Sequence, residues 1–415
     1  MKKSKSTSKS VWLINQYLCT SELNDDGHRH SFLAEKFIKK GYEVTLITSS
    51  FSHVPHRENN FKGLFKVLNG DIRTLLIKGN KYKSTQGVSR VLSWLIFCFL
   101  LFFIPTKKIP KPDVIIVSSN SLLPILNVVF YFKRKFKGVK FILEIRDIWP
   151  LSLVELGGFS AKNPMIKLLA WVEKLGYQKA DHIVSLLIDC NKHIKQIIPN
   201  QKFNYTWVSN GYQLEEDAYY QSISEAMQAK IPEGKFIIGY AGSLGKANAM
   251  EYLIDAVKEI KESDVYLCIV GNGDEKQNLI KRASGVKNIL FFDKIAKKQV
   301  VSFLKKCDLL YFASKESILY SYGISANKTF DYMYAKKPIL LSAPVVNSAV
   351  DEGNCGVVIA PENSEAISNQ ILKFKSMTIA ERTKYGKNGK EYLLNNLTYE
   401  KLANKFITVF KSLDC

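Results

Sequence analysis

The sequence lacks the cysteine and histidine patterns that are typical of metal sites and disulfide frameworks. Its seven cysteines are scattered along the chain, and no two of them form a C-x-x-C pair. Histidine is scarce as well, and the two closest residues, His28 and His30, would not share one face of a helix. We therefore expect no zinc site, no disulfide scaffold and a reducing, cytoplasmic compartment.

Acidic residues are few compared with basic ones: 38 Asp and Glu stand against 59 Lys and Arg, for a net charge of +21. Between positions 72 and 143 there are thirteen basic residues and one acid, Asp113. No motif or patterned basic helix typical of nucleic-acid binding accompanies this charge. The charge therefore favours an anionic membrane surface as a partner and does not favour a nucleic acid.

An apolar run at 91–105 lies inside this basic region. It is shorter than the roughly 20 residues that a membrane-spanning helix needs. Lysine and arginine residues flank it on both sides, so we expect a membrane-associating segment at about 78–111 that lies on an anionic leaflet. A buried helix of the first domain, with flanks that are basic by chance, stays open as the alternative.

Short apolar runs alternate with amphipathic helices from end to end, a pattern typical of α/β proteins with parallel sheets. A chain of 415 residues is too long for one ordinary core. We therefore predict two α/β domains, 1–204 and 205–398, and a C-terminal helix within 399–415 that packs back on the first domain. Asn248, with Glu251 three residues later, is typical of a helix N-terminus.

Glycine-containing turns follow several predicted strands, at the sheet edge where α/β proteins bind ligands. Backbone N–H groups and nearby cations in such turns could form a diphosphate cradle. Each turn alone is a weak signal, because glycine also marks ordinary turns. The candidate residues are Gly27 and Arg29; Asn210 and Gly211; Gly242, Ser243 and Lys246; and Gly271, Gly273 and Lys276.

The stretch 322–338 combines a glycine turn, a cation and a carboxylate at the start of a short predicted helix. Tyr322 and Gly323 form the turn, and Lys328 and Asp331 lie three residues apart. This combination suits a ligand that carries both phosphate and ribose. An ordinary loop-helix-strand unit with solvated charges is the alternative.

Arg146 and Asp147 stand at the end of another predicted strand. A carboxylate beside an arginine is either a structural ion pair or a placed catalytic group. Composition alone favours the ion pair.

Four segments together resemble the retaining glycosyltransferases of family 4. The resemblance runs over nearly the whole chain and is strongest with the bacterial O-antigen and capsule branch, similar to the L-fucosamine (FucNAc) transferases. It implies the GT-B fold, in which two Rossmann-like domains face each other across a cleft. The matching segments are 145–150 (IRDIWP), 240–247 (YAGSLGKA), 269–274 (IVGNGD) and 322–333 (YGISANKTFDYM).

The resemblance also implies roles for the candidate residues. Asp331 matches the acid that binds the nucleotide ribose, and Asp147 falls where relatives place a polar residue beside the donor sugar. No metal ion or other cofactor is expected, because basic side chains and helix N-termini neutralise the leaving diphosphate. The remaining implied donor contacts are Gly27, Arg29, Gly242, Ser243, Lys246, Gly271, Gly273, Lys276, Tyr322, Gly323 and Lys328.

Three departures from the family pattern weaken the individual roles. The usual pair of glutamates is reduced to Asp331, with Tyr320 near the place of the earlier one. The usual diphosphate-contacting arginine is replaced around Ser243, which leaves more to Lys246. The paired glycines of the first-domain loop are reduced to Gly27.

The sequence thus favours a membrane-associated retaining glycosyltransferase on the cytoplasmic face of a bacterial membrane. Its donor would be a nucleotide sugar, with a UDP-linked sugar favoured and a UDP-N-acetyl deoxy sugar one candidate. Its acceptor would be a polyprenyl-diphosphate-linked saccharide of O-antigen or capsule synthesis. The alternatives are a soluble GT-B enzyme with a small acceptor, a sugar epimerase, and a non-catalytic subunit similar to a transferase.

Overall fold

The computed structural model describes residues 8–18, 28–52, 57–82, 88–119 and 121–414. The chain divides into two compact units. Unit 1 takes in residues 1–209 and 399–415, and unit 2 takes in residues 210–398. The division after residue 209 lies five residues beyond the predicted boundary.

Unit 1 is built on an eight-stranded sheet in the order β10-β9-β8-β7-β1-β2-β6-β5, parallel except for the β5–β6 pair. In its centre β1 lies between β7 and β2, with Trp12 opposite Ile115 and Thr45. A two-stranded ribbon of β3 and β4 is separate from it. The strands are β1 Ser10–Ile14, β2 Glu43–Ser49, β3 Phe51–Ser52, β4 Arg57–Glu58, β5 Phe65–Leu68, β6 Arg73–Ile77, β7 Val114–Ser118, β8 Lys140–Ile145, β9 His182–Ser185 and β10 Tyr205–Trp207.

Helices cover both faces of this sheet, because its central strands are apolar on both sides. The helices are α1 Arg29–Lys39, α2 Val88–Leu101, α3 Pro124–Asn127, α4 Lys133–Lys135, α5 Leu151–Glu155, α6 Pro164–Lys179, α7 Cys190–Ile197 and the C-terminal helix Tyr399–Ser412. A π-helical turn, Val128–Phe132, joins α3 to α4, so 124–135 is one helical segment.

The C-terminal helix packs against α1 within unit 1. The Phe37 ring lies 5.7 Å from the Phe406 ring and 5.2 Å from the Phe410 ring, between centroids. These side chains belong to one buried cluster with Val11, Leu13 and other residues of the sheet.

The other face of the sheet carries α2, the segment 124–135 and α6. The rings of Trp12 and Phe132 meet edge to face at 5.6 Å. Gly176 of α6 lies so close to Ile125 and Leu143 that a Cβ atom there would be 2.8 Å from Ile125 Cδ1. This close approach fixes α6 against both α3 and the sheet.

Helix α2 is buried on one side and exposed on the other. Trp94, Phe97 and Leu101 are buried. On the other side Leu92 and Leu95 are each 48% exposed, Phe99 is 62% exposed and Phe103, just beyond the helix, is 60% exposed. No helix in the described part of the chain is long and apolar enough to cross a membrane.

Unit 2 contains a six-stranded parallel sheet in the order β13-β12-β11-β14-β15-β16. This is the doubly wound order of Rossmann folds, whose ligands bind where the strand order reverses, here beside β11. The strands are β11 Phe236–Ala241, β12 Val265–Val270, β13 Ile289–Phe292, β14 Leu309–Ala313, β15 Ile339–Ser342 and β16 Gly356–Ile359. The helices are α8 Glu225–Gln228, α9 Met250–Glu259, α10 Lys276–Arg282, α11 Lys297–Lys305, α12 Ile318–Ser321, α13 Asn327–Tyr334, α14 Ala349–Glu352, α15 Ser364–Ser376 and α16 Ile379–Tyr392.

Candidate functional site

A cavity of about 890 Å³ opens in unit 2 at the carboxyl ends of β11 and β12. Its walls come from the turns after these two strands, the loop before α11 and the first turns of α13. It brings together six of the residues singled out in the sequence. They are Gly242, Ser243, Gly271, Gly273, Lys328 and Asp331.

Two glycines let the turns after β11 and β12 lie against each other. A Cβ atom at Gly271 would be 1.9 Å from the Gly242 carbonyl oxygen, and one at Gly273 would be 2.4 Å from the Leu244 carbonyl oxygen. Neither distance is possible for a real side chain, so the backbones can approach this closely only with glycine. Backbone hydrogen bonds hold the two turns together, from the Gly242 N–H to the Val270 carbonyl at 3.0 Å and from the Leu244 N–H to the Asn272 carbonyl at 2.9 Å.

Lys328 supplies a positive charge inside the cavity. Its Nζ donates to the Tyr240 hydroxyl at 2.9 Å and to Asn248 Oδ1 at 2.7 Å. The Nζ also lies 4.7 Å and 4.8 Å from the ring centroids of Tyr240 and Phe312. Among the described residues no carboxylate lies within ion-pair distance of it. Burial lowers the pKa of the Lys328 ammonium to about 8.

Asp331 is paired with a cation that the sequence analysis did not single out. Lys297 Nζ lies 2.6 Å from Asp331 Oδ1 and 2.5 Å from Oδ2. Burial raises the pKa of the Asp331 carboxyl, and the Lys297 charge opposes that rise. The Asp331 side chain is only 9% exposed, whereas that of Lys297 is 61% exposed.

Asn248 has a different role from the one that its capping pattern predicts. Helix α9 begins at Met250, with Ala249 as its N-cap residue. The Asn248 side chain instead accepts the hydrogen bond from Lys328. A polar side chain near a helix start can cap the helix or can bind another side chain. The sequence does not show that Asn248 binds Lys328, which lies eighty residues away.

Two predicted donor contacts, the lysines of the glycine turns, do not line the cavity. Lys246 is exposed in the short 3₁₀ turn Lys246–Asn248. Lys276 forms an ion pair with Asp293 at 2.6 Å. The lysines that line the cavity are Lys294, Lys297 and Lys328. The donor contacts of Lys246 and Lys276 stay predictions.

Four other predicted donor contacts lie behind the start of α13 and not on the cavity wall. Asn210 donates from its backbone N–H to Ser325 Oγ at 2.7 Å and from Nδ2 to the Ser325 carbonyl at 2.9 Å. Tyr322 and Gly323 are buried, and Gly323 has a φ of 114°, which favours glycine. Gly211 is half-buried. These residues shape the loop that leads into α13.

Arg29 in unit 1 is committed to buried partners. Its Nε lies 3.0 Å from Glu144 Oε1, and its two terminal nitrogens donate to the carbonyl groups of Val208, at 2.8 Å, and Ser209. Only 3% of the residue is exposed. Arg29 is therefore held by partners within unit 1, and its predicted donor contact stays a prediction. Gly27, the other candidate of that loop, lies outside the described residues.

His30 completes the buried cluster around Glu144. Its Nε2 lies 2.6 Å from Glu144 Oε2, and its Nδ1 lies 3.3 Å from Asn15 Nδ2. Burial lowers the pKa of His30 although Glu144 opposes the shift, so the ring is neutral at pH 7 and donates from Nε2. Burial alone would raise the pKa of Glu144, but Arg29 and His30 hold it well below its usual range.

Composition favours an ion pair between Arg146 and Asp147, but the structure does not contain it. Both residues lie in the described part of the chain, and their charged atoms are not within salt-bridge distance of each other. Both lie just after β8, where the Arg146 N–H donates to Ser119 Oγ at 2.9 Å. The Asp147 side chain is exposed. The protein around it nevertheless raises the pKa of its carboxyl by desolvation, and the Arg146 charge partly offsets the rise. Arg146 Nε is buried and has no hydrogen-bond partner among the described residues.

No group of three His, Cys, Asp or Glu side chains in the described ranges could hold a metal ion. The charges available to a ligand of the unit 2 cavity are lysine ammonium groups, backbone dipoles and the carboxylates of Asp274 and Asp331. This arrangement suits an anionic ligand that also carries hydroxyl groups.

Comparison with known proteins agrees with this chemistry. Residues 223–392 match the family described as "Glycosyl transferases group 1". The chain is 23% identical over 318 residues to WbjE of Pseudomonas aeruginosa, which is named as a probable glycosyltransferase. The match covers 74% of this chain and 78% of WbjE. It is also 26% identical over 289 residues to WcaI of Escherichia coli K12, and this match covers 65% of this chain and 68% of WcaI. The name of WcaI describes a colanic acid biosynthesis glycosyl transferase, again provisionally.

The fold is shared with solved glycosyltransferase structures. The structure of HepE from Anabaena in complex with UDP matches with a TM-score of 0.65 at 14% identity, over 97% of this chain and 100% of HepE. The two parallel-sheet α/β domains thus have the GT-B fold, which confirms the predicted fold class. Residues 223–392 thus match the group 1 glycosyltransferases, and the chain is similar to bacterial glycosyltransferases such as WbjE and WcaI.

Proposed function

We propose that this glycosyltransferase moves a sugar from a UDP-linked donor to a polyprenyl-diphosphate-linked saccharide, with retention of the anomeric configuration, in the synthesis of a bacterial surface polysaccharide. The observation that carries the proposal is Lys328, a half-buried cation without a carboxylate partner among the described residues, beside glycine turns at the reversal point of a Rossmann sheet. A UDP-N-acetyl deoxy sugar is the first donor to test.

The charges of the cavity support a nucleoside diphosphate as the ligand. Lys294, Lys297 and Lys328 line it together with two carboxylates, Asp274 and Asp331. Lysine ammonium groups and glycine N–H groups neutralise a diphosphate, and a buried carboxylate accepts hydrogen bonds from ribose hydroxyls. HepE, which shares the fold, was solved in complex with UDP.

In the proposed reaction the bond between the anomeric carbon and the UDP oxygen breaks, and UDP leaves with the electron pair. The acceptor hydroxyl oxygen forms the new bond on the same face of the sugar, and its proton passes to the departing diphosphate. Lys328 stabilises the charge that develops on the departing diphosphate, as preorganised cations do in such reactions. Asp147, an exposed carboxylate just after β8, is proposed to orient the acceptor or to stabilise positive charge on the sugar ring.

The exposed side of α2 supports an acceptor that is anchored in a membrane. Leu92, Leu95, Phe99 and Phe103 present apolar surface to solvent, and cations flank the helix. Apolar side chains framed by lysine and arginine suit the surface of an anionic leaflet. We place the protein at the cytoplasmic face, where nucleotide sugars are available to a peripheral enzyme.

The test is UDP release from a panel of UDP- and GDP-sugars, with and without a bacterial lipid extract that contains polyprenyl-diphosphate saccharides. We expect lipid-dependent release from one UDP-sugar, with product NMR showing retained configuration. Lys328→Met and Asp331→Asn should abolish release. The matched control Lys305→Met, an exposed lysine of the same unit, should leave it unchanged.

Other outcomes would contradict separate parts of the proposal. Release that needs only a small soluble saccharide, and that Phe99→Glu does not affect, would favour the soluble-acceptor alternative. No release from any donor, and no thermal shift with UDP or GDP, would contradict the assignment of the cavity.

A further inference from the structure

Exposed apolar side chains on unit 1 extend beyond α2 to α6. Leu168 is 45% exposed and Trp171 is 51% exposed, and Leu175 is half-buried. Scattered exposed apolar residues are ordinary on protein surfaces. These three lie three and four positions apart, however, so they form one stripe along the helix.

The way α6 packs turns this stripe outward. The helix buries Leu169, Val172 and Gly176 against the sheet side, where Gly176 meets Ile125 and Leu143. Helix α6 contacts α3, and α3 contacts α2, on one face of the eight-stranded sheet. We call α2, the segment 124–135 and α6 together the outer layer of unit 1.

Aromatic contacts join the exposed parts of this outer layer. The Phe102 ring beside α2 lies 5.6 Å from the Tyr131 ring of the neighbouring segment. The rings of Phe99 and Phe103 meet at 5.1 Å with a 56° tilt, and Phe130 is 44% exposed. The apolar surface therefore continues from α2 onto the neighbouring helical segment.

The exposed charges of the outer layer all have one sign. The sequences of its three helical elements contain a single acid, Glu173. That carboxylate is buried, and accepts from the Tyr177 hydroxyl and His193 Nε2, each at 2.8 Å. The exposed charged side chains are Arg134, Lys135, Lys167, Lys174 and Lys179.

This combination distinguishes a bilayer from a second copy of the chain as the partner. In a twofold dimer the same face meets itself, so these cations would oppose each other at a cost in free energy. An anionic bilayer offers apolar depth for leucine and tryptophan and phosphate groups for the surrounding lysines.

From these contacts and charges we infer that α6 is a second membrane contact of this enzyme, with Trp171 inserted at the interface of an anionic leaflet. The inference rests on the proposed function, because it assumes that unit 1 lies at a membrane. It adds a lipid contact that lies outside 78–111 and can be tested without a donor or an acceptor.

Tryptophan fluorescence of the full-length protein provides the test. All five tryptophans lie in described segments, and Trp171 is the exposed one; Trp12, Trp94 and Trp149 are buried and Trp207 is half-buried. Vesicles of equal parts phosphatidylglycerol and phosphatidylcholine should shift its emission to the blue, and brominated acyl chains should quench it. Trp171→Phe should remove both signals.

Two further variants measure the contribution of α6 to binding. Lys167→Gln and Lys174→Gln should each weaken vesicle binding about fivefold at physiological salt. Ile379→Glu, which changes an exposed apolar residue of unit 2, should leave binding unchanged. Thermal shifts with UDP, recorded in parallel, test whether UDP binds to the unit 2 cavity. A failure of the proposed donor site can therefore be distinguished from a failure of the membrane contact.

Three results would overturn the inference. Vesicle binding without any change in Trp171 emission would leave α2 as the only tested contact. Absence of binding to anionic vesicles would remove the membrane partner altogether. Concentration-dependent self-association that Trp171→Glu abolishes would make the outer layer an interface between copies of the chain.

Discussion

Lys328 lies where Tyr240 and Asn248 accept its hydrogen bonds, with no carboxylate among the described residues to balance its charge. Desolvation lowers its pKa to about 8, so it is mostly charged at pH 7. A lysine that is half-buried without a counter-ion is costly to the folded protein. A bound diphosphate would supply the missing negative charge.

The first prediction concerns the pH dependence of UDP binding. Because Lys328 loses its proton as the pH rises through about 8, UDP affinity should fall between pH 7 and about pH 8.5, a range in which the diphosphate is ionised and the uracil N3–H keeps its proton. Isothermal titration should show this fall together with proton uptake on binding near pH 8. Lys328→Met should weaken binding at pH 7 by about 1.5–3 kcal/mol and flatten the profile. An unchanged profile in the variant would remove Lys328 from the site.

The second prediction concerns Lys297. In the free protein its ammonium occupies the Asp331 carboxylate, the group that a ribose would need. Lys297→Met should therefore strengthen binding of uridine, which has no phosphate, by no more than about 1 kcal/mol, since the lysine is largely exposed. Lys305→Met, on the same helix, is the control. Weaker uridine binding in Lys297→Met would show that Lys297 contacts the nucleoside itself.

At the scale of elements, the cavity depends on two strand-end turns that touch. The turn after β12 can lie against the turn after β11 only because Gly271 and Gly273 have no side chains. The sequence shows glycines after both strands. It does not show that these glycines allow the two turns to touch. That contact depends on β11 and β12 being neighbours in the sheet, and the sequence does not give the strand order.

The third prediction tests this contact. Gly271→Ala should lower the free energy of unfolding by about 1–3 kcal/mol, as overpacking does, and should abolish UDP binding. Gly245→Ala is the matched control in the same region, because the nearest atom to its Cβ is Asn248 Nδ2 at 3.9 Å. Thermal unfolding and UDP titration measure both effects. A Gly271→Ala protein that binds UDP normally would contradict the role of this contact.

At the scale of the molecule, the chain leaves unit 1 after residue 209, forms unit 2 and returns to unit 1 at residue 399. The C-terminal helix closes the core of unit 1, where Phe410 is fully buried against Phe37 and Tyr42. Unit 1 therefore depends on residues at both ends of the chain.

The fourth prediction follows from this dependence. Phe410→Ala should destabilise unit 1 by about 3–5 kcal/mol, through lost burial and a cavity. Limited proteolysis should then cleave unit 1 first, while UDP still binds to unit 2. Simultaneous loss of UDP binding at the same temperature would show that the two units unfold as one. Ile379→Ala, at an exposed position, controls for surface changes.

Much of the fold could be predicted from the sequence because its signals are local. The apolar runs at 11–15, 236–240 and 339–342 predict strands, and each lies within one residue of the observed β1, β11 and β15. Such runs can be recognised because a strand pattern depends on neighbouring residues. Six donor-site residues meet in one cavity because strand ends in parallel sheets share an edge.

The sequence by itself determined the α/β alternation, the basic excess around an apolar segment, and the Lys328 and Asp331 pattern. Only the tertiary structure decided which charged side chains form ion pairs with each other. It paired Lys297 with Asp331, committed Arg29 to Glu144, left Arg146 and Asp147 without a mutual ion pair, and turned Trp171 outward. The reason is physical: a side chain's partners and burial depend on residues that are distant in sequence, and no local pattern encodes those distances.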